Sequence, residues 1–385
     1  MAYELIPTLH GALLRGILED TYNNNPSVPN ASTFFCPEGV VFNSFVPEIK
    51  PRMMQGPFLS GVKPSFTKAN GTYSGDFPLA LSDVGTVTLS PAASIAGVPL
   101  QLHTLLCGGG FVPTHSNSGG YSGLLPGGIS DPGGGNDEIL TYTYFPRSNN
   151  PRSSVKWIYS EIPEGGAETR EHTLKGSRHG WTLKCVGGDE WVLSVEGMSL
   201  AAPKLKNGSP TLNSSYDTSE PIVGMASNYS LTKIAASAVT FGGGSEASPT
   251  LQADVYGLEI SSNLTPAAKT ASSGTYGVSK IQPQASTPTV KMTLDKCVFE
   301  DDFDVDAFAT GRLALRFTQV TPMPGSTKTF IKVQFTGFVT SLSPGDNEGY
   351  RNTELELALG YPEVSSDGGG LVPDELMTIQ VVTLV

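Results

Sequence analysis

Charge, histidine and long apolar runs are all scarce in this chain: 16% of its 385 residues are charged and five are histidine. Its four cysteines (Cys36, Cys107, Cys185 and Cys297) lie far apart. Without a C-x-x-C pair they point neither to a metal or redox motif nor to a disulfide framework, so a reduced, cytoplasmic protein is expected. The net charge is −12, and no run of Lys and Arg stands out. That argues against a surface built to grip nucleic-acid phosphates. No stretch approaches the ~18 apolar residues of a membrane helix. The opening Met1-Ala2-Tyr3-Glu4 lacks the basic and apolar segments of a secretion signal, so no membrane partner is expected. The N-x-[ST] triplets at Asn30, Asn70, Asn207, Asn213, Asn228 and Asn263 then reflect abundant Ser and Thr.

Catalytic signatures are missing as well. There is no H-E-x-x-H, G-x-S-x-G, P-loop or helix-opening G-x-G-x-x-G, so a non-enzyme without cofactor or metal is expected. Gly108-Gly109-Gly110 resembles a phosphate loop in composition alone. Such a loop must precede a helix so that backbone N–H groups face the anion, and this one follows a helix as a stop signal. Glu171-His172 and Arg178-His179 fall in a polar hairpin-like segment and read as solvated surface. The run Glu300-Asp301-Asp302-Phe303-Asp304-Val305-Asp306 alternates acids as a calcium loop does. Counted from Asp302, however, the glycine and glutamate positions hold Ala307 and Leu313, so a solvated acidic loop capping a short helix is the better reading.

What is abundant is Gly and Pro, at 44 and 29 residues, together with Ser, Thr and Asn. This balance favours short strands between many turns, and 38% hydrophobic residues suffice for a folded core. Residues 9–20 can be helix or strand, and 27–70 read as an extended arm or long loops with a few strand contacts. Phe77, Leu79 and Leu81 alternate with smaller residues, the two-residue period of a half-buried strand. One helix is expected over about 97–106, with Pro99 in its first turn and Leu102, Leu105 and Leu106 on one face. Residues 115–138 read as a surface loop. Strands are expected at 140–145, 155–159, 180–185, 191–196, 250–260, 290–299, 313–317, 329–338, 353–359 and 376–384. Such spacing predicts an all-β sandwich or barrel with a short flanking helix.

Two hairpin-like stretches, one running to Met198 and the other to Phe338, look alike. They suggest an internal duplication with a boundary near 200–225. The expected division is 1–220 and 221–385, the alternative being one domain over 1–385. Trp157, Trp181 and Trp191 lie on strand-like segments, where core packing is favoured over an exposed binding platform.

Several segments resemble phage tail tube proteins. Arg15-Gly16-Ile17-Leu18-Glu19-Asp20-Thr21-Tyr22 resembles the family's N-terminal strand and turn. Phe77–Ser82 with Leu100–Phe111 is similar to its strand, helix and aromatic-after-glycine block. Phe330–Thr340, Asn347–Leu357 and Asp374–Ile379 resemble its closing strands. The resemblance implies a virion protein of a long-tailed phage, assembled in the host cytoplasm. It would form hexameric rings, or trimeric ones if duplicated, stacked into a hollow tube. DNA would pass the lumen without specific binding, and tape measure and terminator proteins would be further partners. It implies that 27–70 and 115–138 lie between subunits, and that Asp301, Asp302 and Asp304 are lumen or interface acids. A decoration or adhesin-like sandwich is the alternative.

Overall fold

The computed structural model describes residues 9–19, 22, 33–35, 38–43, 48–55, 60–68, 71–78, 84–89, 93–118, 139–146, 153–163, 170–186, 191–200, 204–206, 238–241, 251–271, 278–284, 287–294, 315–322, 329–347, 349–359 and 377–384. Apart from one helix, nearly all of these are β-strand, as the turn-rich composition predicts.

The first strands are β1 (Leu9–Glu19), β2 (Thr33–Phe35), β3 (Glu38–Asn43), β4 (Glu48–Gln55), β5 (Ser60–Lys68), β6 (Gly71–Pro78), β7 (Val84–Leu89) and β8 (Ala93–Pro99). The helix α1 (Leu100–Gly108) follows, then β9 (Phe111–Ser118), β10 (Ile139–Pro146), β11 (Ser154–Pro163), β12 (Arg170–Val186), β13 (Val192–Ser199) and β14 (Lys204–Lys206). The remainder holds β15 (Ala238–Phe241), β16 (Leu251–Ser261), β17 (Thr265–Thr270), β18 (Val278–Gln284), β19 (Thr289–Leu294), β20 (Leu315–Pro322), β21 (Thr329–Asn347), β22 (Tyr350–Leu359) and β23 (Met377–Leu384).

The ambiguous segment 9–20 is the strand β1. It lies between β2 and β11, and Leu14, Arg15, Ile17 and Glu19 are all buried. A central strand covered on both faces shows no two-residue alternation, which is why periodicity did not decide. Residues 27–70 hold the four strands β2 to β5 rather than mainly loops. The expected loop begins later than 115, because β9 pairs with β10 from Phe111↔Pro146 to Ser118↔Ile139. Cross-strand pairing there overrides the local Ser and Asn content, and the rest of that loop lies outside the described residues.

The strand β12, 17 residues long, joins two layers. Its first half pairs with β11 and β14, and its second half with β13 and β16. The change of partner falls between Ser177 and Arg178, just past Gly176, whose φ of 60° is the left-handed conformation glycine adopts without strain. Farther along, β16, β15, β20, β21, β22 and β19 pair in sequence and close on themselves, all antiparallel. Closure removes free edges from that group. Open edges remain at β2, β3, β9 and β14 among the described strands. Among the described strands, the hairpins β4–β5 and β7–β8 pair with no other strand, and β17–β18 is likewise a two-stranded sheet of its own.

One hydrophobic cluster runs from Leu14 through α1 to Val381. The three tryptophans belong to it, with 1%, 3% and 0% exposure for Trp157, Trp181 and Trp191. Phe77 of β6 stacks on Trp157 of β11 at 5.7 Å and 18°, which brings the two layers together. The helix starts directly after Pro99 and is buried on every side from Gln101 to Gly108, a tighter enclosure than its leucine face implies. It stops where Gly110, at a φ of 96°, turns the chain into β9.

Candidate functional site

Asp301, Asp302 and Asp304, the acids singled out in the sequence, lie outside the described residues. The structure places the other polar groups in two settings, one sealed inside the core and one spread over the open face of the main sheet.

The sealed setting centres on His179, expected at the solvated surface and found fully buried. The expectation fails because β12 is redirected just past Gly176: from Arg178 on it pairs in the main sheet, and His179 is on the core face. Its Nε2 lies 2.7 Å from the Leu105 carbonyl and its Nδ1 2.8 Å from the Tyr73 hydroxyl. A carbonyl only accepts, so Nε2 carries the proton and donates, while Nδ1 accepts from Tyr73. Both ring nitrogens are thus occupied in binding α1 to β12 and β6. Burial holds His179 neutral, lowering its pKa to about 4 despite the opposing effect of the Leu105 carbonyl, and it raises that of Tyr73. On α1, burial lowers His103 to about 4 and raises the Cys107 thiol to about 12. A thiol held protonated in an apolar setting is a poor nucleophile. These groups act as cross-braces. No cluster of three metal-ligating side chains occurs among the described residues.

A second brace fixes the corner at Gly176. The Glu19 carboxylate accepts from the Gly176 N–H at 3.0 Å and from the Ser154 hydroxyl. Nearby, Arg178 lies 4.8 Å over the Tyr22 ring and donates to the Ile281 carbonyl at 3.0 Å. The Ile281 N–H donates to the Tyr22 hydroxyl at 2.6 Å. Both backbone groups of this β18 residue are therefore met, and β17–β18 is held over one end of the outer face.

Beyond that hairpin the outer face is open and polar. Register sets Lys184 opposite Glu259, Glu259 opposite Lys291, and Lys291 opposite Glu356, across β12, β16, β19 and β22. Charges of alternating sign in neighbouring strands attract, so the ladder holds the sheet together where β12 meets β16. Two grooves of about 500 and 380 Å³ meet at Lys184. The larger contains Thr182, Ser194 and Glu196, and the smaller contains Glu354, Ser341 and Ser343. Sequence reading missed this ladder, because each member is an ordinary polar position in an alternating strand and only register aligns them.

Register also creates a cationic pair that linear sequence hides: Arg52 of β4 stands opposite Lys63 of β5. Among the described residues, no helix is long and apolar enough to cross a membrane. No protein-family model matches the chain, and no curated protein matches it in sequence.

Proposed function

We propose that this chain is a structural virion protein that oligomerises into stacked rings forming the hollow tail tube of a long-tailed phage, through which DNA is ejected. The observation that carries this reading is an all-β body with, among the described strands, open edges at β2, β3, β9 and β14 beside three hairpins that join no other strand. Open edges are templates for further strands, and a ring of copies completes them. The outer face suits passage of DNA. Among the described residues it alternates carboxylates with lysines and offers hydroxyl groups, so phosphates meet repulsion beside each attraction. The buried groups serve packing, so shape rather than reactivity is the product.

The adhesin-like alternative drew on Trp157, Trp181 and Trp191 as a platform. All three are core residues, which removes that support.

Negative-stain electron microscopy of the purified full chain tests the reading. Stacked rings with a central channel are expected. A chain that stays monomeric at assembly concentrations, with its edges covered by its own segments, overturns it.

A further inference from the structure

The hairpin β4–β5 differs in charge from the rest of the chain. Residues 48–68 contain Lys50, Arg52, Lys63 and Lys68 against Glu48, a net +3 within a chain of net −12, which leaves −15 for the remainder. Arg52 and Lys63 occupy one register position. Like charges directly opposite destabilise a ladder. Neighbouring positions alternate with these: Ile49 is opposite Phe66, and Met53 is opposite Val62. A two-stranded ribbon of this kind is marginal in water unless something covers it.

The opposite fault occurs on β3, β6 and β13. These strands carry Glu38, Asp76 and Glu196 and contain no Lys or Arg. Glu38 stands opposite Asp76, and Asp76 and Glu196 are exposed. Here too a like-charge pair weakens the ladder, with β3 at an open sheet edge among the described strands.

In chain order the two pairs are adjacent: β4 follows β3 and β5 precedes β6, while β4–β5 forms a two-stranded sheet of its own and β3–β6 belongs to the main sheet.

We propose that the β4–β5 hairpin of one copy docks on the acidic β3–β6–β13 edge of the next, with Arg52 and Lys63 facing Glu38 and Asp76. Each pair then relieves the other's repulsion, and the apolar positions of the hairpin are covered. The contact uses different surfaces on the two copies, so it propagates head to tail and closes a ring or extends a stack. The inference rests on the self-assembly in the proposed function and names the surfaces that would carry it.

Charge reversal in the full chain tests it, read by sedimentation velocity and negative-stain microscopy, with circular dichroism confirming folding. Arg52→Glu with Lys63→Glu is expected to raise the concentration for half-assembly by about tenfold or more, and so is Glu38→Lys with Asp76→Lys. The four changes together restore assembly, as does mixing the two double variants in part. Assembly indifferent to either double variant overturns the docking while leaving the tube reading intact. Loss in both without rescue in the quadruple variant also overturns it. Charge-dependent assembly into oligomers without a channel supports the docking and refutes the tube. A chain that never assembles refutes both. Sedimentation with phosphatidylserine vesicles, dependent on Arg52 and Lys63 while the chain stays monomeric, assigns the hairpin to a membrane instead and overturns the proposal.

Discussion

Glu19 and Gly176 are 157 residues apart in sequence and joined by one hydrogen bond of 3.0 Å, from the glycine N–H to the buried carboxylate. The bond sits where β12 leaves one layer for the other, so the N-terminal strand sets the angle between them. Replacing Glu19 with Ala strands the Gly176 N–H and the Ser154 hydroxyl inside the protein. A loss of about 2–4 kcal/mol in unfolding free energy is expected by urea titration, from buried donors left without an acceptor. A variant as stable as the parent would show that the corner holds itself.

Acid stability follows from the two buried histidines. In the folded chain His103 and His179 titrate at about 4, below the ordinary value of about 6.5. Between these values the unfolded chain binds protons that the folded chain refuses, so stability falls as pH drops from about 6.5 to about 4. Above that window the histidines contribute no pH dependence. The loss is at most ~3 kcal/mol per histidine, and His179→Gln is expected to flatten its share of the slope in denaturant titrations at pH 7 and pH 4.5.

The charge ladder on the outer face is tested at its middle. Lys291→Glu sets three carboxylates side by side, because its register partners are Glu259 and Glu356. About 1–2 kcal/mol of stability should be lost at low salt, and most of the loss should vanish in 1 M NaCl, where screening is strong. A loss independent of salt would trace to packing and refute the ladder.

The helix meets the sheet through a missing side chain. A Cβ on Gly109 would lie 2.4 Å from Cδ1 of Trp181, which already packs on Phe111 at 5.0 Å. Gly109→Ala is expected to cost about 1–3 kcal/mol by overpacking and to change the near-ultraviolet dichroism of the tryptophans. An unchanged spectrum would mean that α1 has room to move.

The strand-rich class, the helix ending at the glycine run and the burial of the tryptophans were all legible, because alternation, caps and apolar content act over a few residues. The helix lies at Leu100–Gly108, a few residues later than its leucine pattern implied, since Pro99 and Gly110 bound it from outside. His179 was misplaced because the segment before it, with Glu171, His172 and Arg178, is polar, and nothing local reveals that the strand changes partners just past Gly176. The acids at 301, 302 and 304 drew attention as a contiguous run, whereas Lys184, Glu259, Lys291 and Glu356 are scattered over more than 170 positions.

By itself, then, the order of residues determined that this chain would be built of strands, with one helix among the described residues, around an apolar core; that β12 and β21 run to 17 and 19 residues was not legible. Local backbone preference and side-chain periodicity suffice for that. Register, and with it the charge ladder, the Arg52–Lys63 pair and the buried bond between Tyr73 and His179, was decided only by the tertiary structure. Pairing energies between strands distant in sequence depend on which strand lies beside which, and no local pattern encodes that choice.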